Sequence, residues 1–78
     1  MPTKSRAKRR FVVCVRNTGY PASLEVRKIY TSLQDHTAEA HGMLRVVDES
    51  GEDYLYPAKF FVAVQLPQPL RSALRRAG

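Results

Sequence analysis

From Phe11 to Leu66, each β-prone run of this chain is cut short within a few residues by glycine, proline or a polar turn. Punctuation this dense leaves no room for long helices, whose costly first turn needs a sustained run to repay it. Short strands joined by tight turns are what remain. FVVCVR (residues 11–16) places Phe11, Val13 and Val15 on one side and Val12, Cys14 and Arg16 on the other. Both sides begin apolar, as in a well-covered strand. NTGYP is turn chemistry. In SLEVRKIYTSL, Leu24, Val26 and Tyr30 alternate with Glu25, Arg27 and Thr31, which predicts a half-buried strand. Ile29 breaks the alternation and predicts a bulge or strong twist near Lys28. QDHTAEAHG has the makings of one helical turn capped by Asp35. MLRVV and DYLY, joined by a polar turn around Glu49–Glu52, form a hairpin signature, and Pro57 ends the pairing. AKFFVAVQL predicts a last strand. Pro69 suits a first helical position, and Leu70, Ala73 and Leu74 share one helical face. The expected fold is mainly β: four to five antiparallel strands in a small closed or nearly closed barrel, followed by a short C-terminal helix.

Charge divides the chain differently. The net charge is +6, but residues 1–10 hold Lys4, Arg6, Lys8, Arg9 and Arg10 without a single acid. Arg71, Arg75 and Arg76 add three more cations after residue 70. The middle keeps five basic residues against seven acids, so the body is mildly acidic and the positive excess is terminal. Residues 1–10 carry nothing large to bury beyond Met1 and are expected to be a disordered basic arm. The expected organisation is this arm, a barrel over residues 11–66, and a short helix or tail over residues 67–78. No apolar run is long enough to span a membrane, and the charged N-terminus does not read as a secretory signal, so the expected compartment is the cytoplasm. Cys14 is alone and cannot form an internal disulfide.

The hairpin followed by YLYPAKFFVAV resembles SH3-like barrels. It is similar to their distal hairpin, the strand ending in proline, the single 3₁₀ turn and the last strand. Pro57 and Phe60 match that pattern's proline and the aromatic residue three positions later. The resemblance covers roughly residues 11–66 and implies an SH3-like barrel. It does not extend to binding of proline-rich peptides, because the first strand is FVVCVR and the chain has no tryptophan. The chain also resembles small uncharacterised bacterial proteins with a DESGEDYLYP-type core.

Each constellation with chemical potential has a plainer counterpart. DESGED at residues 48–53 gathers four carboxylates, yet a calcium loop needs ligands spread over about 12 residues. Paired-carboxylate catalysis needs a cleft and one pKa raised by burial. The expectation for this segment is a solvated hairpin tip. His36 and His41, with Asp35 and Glu39, are five residues apart and lack metal-ligand spacing. No nucleophile elbow or phosphate loop is present. No catalytic residue, metal or cofactor is therefore expected. Tyr54, Tyr56 and Phe60 are expected to wall an aromatic surface, if the barrel has one. Lys4, Arg6, Lys8, Arg9 and Arg10 are the strongest lead, since five cations meeting duplex phosphates predict a log–log salt slope of about −4.5. The expected function is a non-enzymatic binding module associated with nucleic acid through this arm. The alternative is a protein–protein interaction module using Leu70 and Leu74 of the C-terminal helix, or the aromatic surface.

Overall fold

The computed structural model describes residues 8–77, with side chains as far as Leu74. Its strands are β1 (Arg9–Cys14), β2 (Ile29–Leu33), β3 (Met43–Val47), β4 (Asp53–Pro57) and β5 (Phe61–Val64). Helix α1 (His36–Ala40) joins β2 to β3, a 3₁₀ turn (Ala58–Phe60) joins β4 to β5, and helix α2 (Gln68–Ala77) follows. The five strands are antiparallel, in the order β4-β3-β2-β1-β5. The mainly β fold with a short C-terminal helix is what the strand and helix patterns of the sequence imply.

The expectation of closure needs correction, because β4 and β5 are the two edges and do not pair. They are nevertheless consecutive in sequence. Laid flat, five strands would separate their outer members by roughly 19 Å. A three-residue 3₁₀ turn rises only about 6 Å. The sheet must therefore curl until its edges approach, and the turn bridges the gap where ladder bonds would otherwise be. Two backbone bonds fix it there: Ala58 N–H donates to the Gly42 carbonyl (2.9 Å), and Val15 N–H to the Phe60 carbonyl (2.7 Å).

Curling gives the sheet a concave inner face. Val12 lies between Tyr30 and Ala63, Cys14 opposite Phe61, Ser32 opposite Val46, and Leu44 opposite Tyr56. Apart from the exposed Ala63, these positions are buried and, completed by Leu24 and Phe60 from the connections, supply the core. The outer face carries Phe11, Val13, Ile29, Val47 and Val64, and Leu74 of α2 shares a cavity with Phe11, Ile29 and Val47.

Two strand boundaries differ from expectation. The second strand starts at Ile29 rather than near Leu24, and residues 21–27 are two turns flanking an irregular Leu24–Glu25. Leu24 is fully buried from within this connection, while Val26 is exposed. Arg27 has φ 73°, Arg27 N–H donates to the Cys14 carbonyl (2.7 Å), and Cys14 N–H donates to the Lys28 carbonyl (2.9 Å). Arg27 and Lys28 thus oppose one residue, the bulge predicted near Lys28, with arginine in the left-handed position that usually holds glycine. At the other boundary β1 begins at Arg9, with Arg9 opposite Leu33 and Arg10 opposite Ser32. Lys8 also takes part, its carbonyl accepting from Gln34 N–H (2.8 Å). The last two residues of the expected arm therefore belong to the sheet and Lys8 is hydrogen-bonded beside it, through backbone bonds that do not depend on side-chain hydrophobicity. Lys4 and Arg6 lie outside the described residues.

Candidate functional site

The acidic segment is exposed from Glu49 to Asp53, as expected of a hairpin tip, but its first carboxylate is buried at the base of the turn. Asp48 is only 7% exposed. One of its carboxylate oxygens accepts from the Ser50 backbone N–H (2.8 Å) and hydroxyl, and the other accepts from the Tyr56 hydroxyl. Burial alone would raise the Asp48 pKa, but the bonds from Ser50 and Tyr56 outweigh it and hold the carboxyl below its ordinary value. Burial, reinforced by the same carboxylate, pushes the Tyr56 hydroxyl up to about 12. Glu49 accepts from Lys28 Nζ (2.6 Å) and the Tyr30 hydroxyl (2.6 Å), and both bonds depress its pKa, Lys28 the more. Glu49 N–H also donates to the Ser23 carbonyl (3.1 Å), tying the hairpin to the residue 15–28 connection. Glu52 accepts from the Tyr54 hydroxyl, and Asp53 from Arg45, which also holds Asp35 at 2.8 Å. Every carboxylate of DESGED thus has a protein partner, and the segment is a polar clamp. The Asp-x-Ser spacing at 48–50, which favours a side-chain turn, was the legible signal for it.

The expected aromatic wall also needs correction. Tyr56 and Phe60 are core residues, 3% and 5% exposed, and only Tyr54 of the three is at the surface. Their place outside is taken by Tyr20, 39% exposed, whose ring meets Tyr56 edge-to-face at 4.9 Å. Tyr20, Tyr54 and Leu55 surround an open cavity of about 420 Å³ that also reaches Ser23, Asp48 and Ser50. Acidic groups therefore border these tyrosines.

The basic residues do converge. Arg9 and Arg10 of β1 and Arg71 of α2 line one cleft of about 420 Å³, with Phe11, Val64 and Leu66 among its other walls. The β1–β5 ladder produces this meeting, since Phe11 is opposite Val64 and the chain turns through Pro67 into α2 directly afterwards. Arg10 lies 3.7 Å from Glu39 with its side chain half exposed. Among the described residues, Arg9 and Arg71 form no ion pair. Arg75 and Arg76 belong to the same helix.

Among the described residues, no group of three or more His, Cys, Asp and Glu side chains could hold a metal ion. His36 and His41 are exposed at either end of α1. No helix of the described residues is long and apolar enough to cross a membrane. The fold and these surfaces define a small, mainly β protein with an open, curled sheet and a basic cleft along one edge. Comparison with protein-family models, curated proteins and solved structures finds no match to the chain.

Proposed function

We propose that this protein is a non-enzymatic binding module that associates with nucleic acid through the basic cleft. The supporting observation is the convergence of Arg9, Arg10 and Arg71 from opposite ends of the sequence into one concavity. Arginines lining one cleft attract phosphate, and among the described residues Arg9 and Arg71 have no carboxylate partner to displace first. Lys4 and Arg6 precede Arg9 by only a few residues and add to the same positive end. The tyrosine cavity belongs to another part of the surface, whereas Arg9 also lines a neighbouring cavity that reaches Asp48 and Glu49.

Salt titration of binding tests the reading. The full chain should bind fluorescent oligonucleotides with affinity that falls steeply as salt rises. Charge reversal at Arg9 and Arg71 together should weaken binding and reduce the duplex log–log slope by about 1.8. Unchanged affinity and slope in that variant would refute the cleft as the interface. A second reading, a protein-interaction module, is favoured by the exposed Tyr20, Tyr54 and Leu55 around their own cavity. A protein partner retained at high salt and lost on Tyr54→Ala would support it.

A further inference from the structure

We infer that the open cavity bordered by Tyr20 and Tyr54 receives the guanidinium group of an arginine displayed on a protein partner. The inference deepens the protein-interaction reading of that cavity and is independent of the basic cleft. Charge is unevenly balanced within DESGED. Glu49 is paired with Lys28 and Asp53 with Arg45, whereas Asp48 and Glu52 form no ion pair among the described residues. Both of these carboxylates are bound to tyrosine hydroxyls instead, Asp48 to Tyr56 and Glu52 to Tyr54. Asp48 is buried as well, and the neutral donors of Ser50 and Tyr56 hold it in its charged form. A buried carboxylate that stays ionised without a counter-ion leaves a local negative field. A cation entering the same cavity offsets it.

The walls of the cavity select the kind of cation. Tyr20, Tyr54, Leu55, Asp48 and Ser50 line it, and no lysine or arginine does. The cavities on the outer face and beside β5, by contrast, are both lined by Arg9. A hard ion such as calcium wants roughly six to eight oxygen ligands, which aromatic walls do not supply. Aromatic rings instead attract a weakly hydrated organic cation. Guanidinium is less strongly hydrated than ammonium, and its planar face stacks on a ring while its N–H groups point toward carboxylates. Tyr20 and Tyr54 keep enough of their surface exposed for such stacking, while Tyr56 stays in the core. A dedicated small-molecule site encloses most of its ligand. This cavity is open, and Leu55 at its border is 40% exposed. It therefore suits a side chain whose carrier remains outside, in apolar contact with Leu55.

Amide NMR of the full chain tests this, with three short glycine peptides that carry one arginine, one lysine or one citrulline, the neutral counterpart of arginine. The arginine peptide should shift the signals of Tyr20, Ser50, Tyr54 and Leu55, and bind at least about fivefold tighter than the citrulline peptide. The lysine peptide should fall between them. Equal affinity of the arginine and citrulline peptides at these residues would overturn the cation site while leaving the cavity as a protein interface. No shift there with any peptide would overturn both readings of the cavity. Free guanidinium ion should reach the same residues more weakly than the arginine peptide, and equal affinity would replace the protein partner by a small free cation and defeat the inference. Asp48→Asn should weaken the arginine peptide and leave the citrulline peptide as it is. Should that variant fail to fold, Glu52→Gln removes an exposed charge yet keeps an acceptor for Tyr54, and should weaken the arginine peptide about twofold. Arginine-peptide affinity unchanged by the loss of either charge would count against the inference.

Discussion

Two single residues occupy positions that the rest of the fold imposes on them. Arg27 sits at φ 73° because the bulge opposite Cys14 requires a left-handed residue. A non-glycine residue there carries a penalty of roughly 1–2 kcal/mol from its Cβ. Arg27 is exposed and forms no ion pair among the described residues, so little is lost with its side chain. Arg27→Gly should therefore stabilise the protein by about 1 kcal/mol, after allowing for the greater freedom of glycine in the unfolded chain. A chemical denaturation midpoint that falls in this variant would contradict the bulge argument. Ser32 presents the reverse case. It is 1% exposed on the inner face opposite Val46, and its hydroxyl has no hydrogen-bond partner among the described residues. An unpaired hydroxyl in a core costs about 1–3 kcal/mol. Ser32→Ala removes that cost along with one buried atom, and the expected outcome is equal or higher stability in the same assay.

At the scale of elements, legibility followed the range of the interactions. The β3–β4 hairpin could be read because its alternation, its glycine and its terminating proline are all local. Gly51 takes φ 83° at the turn, and Tyr56 and Leu44 face each other as the alternation requires. α1 was readable for the same reason: Asp35 accepts from Ala38 N–H (3.0 Å), and Gly42 follows in the left-handed region. The start of β2 was misjudged because Leu24 is buried from a loop, where burial has no period. Arg9 and Arg10 gave no local strand signal, since their ladder partners lie on β2. The cleft was the least legible feature, because the β1–β5 pairing that builds it joins segments far apart in sequence. Helix α2 provides a test of how that cleft is held. Leu74 is half-buried against the outer face, so Leu74→Ala should cost about 1 kcal/mol. Since it loosens the helix carrying Arg71, the same substitution should also weaken oligonucleotide binding, measured by anisotropy.

For the molecule as a whole, pH should limit stability at both ends. Asp35, through the Ala38 N–H and then Arg45, is held below its ordinary range, as are Asp48 and Glu49. Their contribution is complete above the unfolded carboxylate range near about 4 and is lost as pH falls through the lower folded values. Tyr30 and Tyr56 are raised, first by burial and then by Glu49 and Asp48 respectively. Their contribution is complete below the unfolded tyrosine value near about 10 and is lost as pH rises. Tyr56 reaches about 12, so the alkaline limb extends at least that far. Denaturation midpoints measured across pH should form a plateau with two falling limbs, and Tyr56→Phe should flatten the alkaline one. An alkaline limb as steep as before in that variant would reject the Tyr56 contribution. A different consequence concerns the order in which the molecule is made. Pairing of Phe11 with Val64 means that the first strand emerges from the ribosome long before one of its two neighbours. At about 5–20 residues per second, that strand waits several seconds with one flank uncovered. Final assembly is thus a late event, completed only after Val64 has cleared the exit tunnel, and the nascent chain spends that interval open to chaperones.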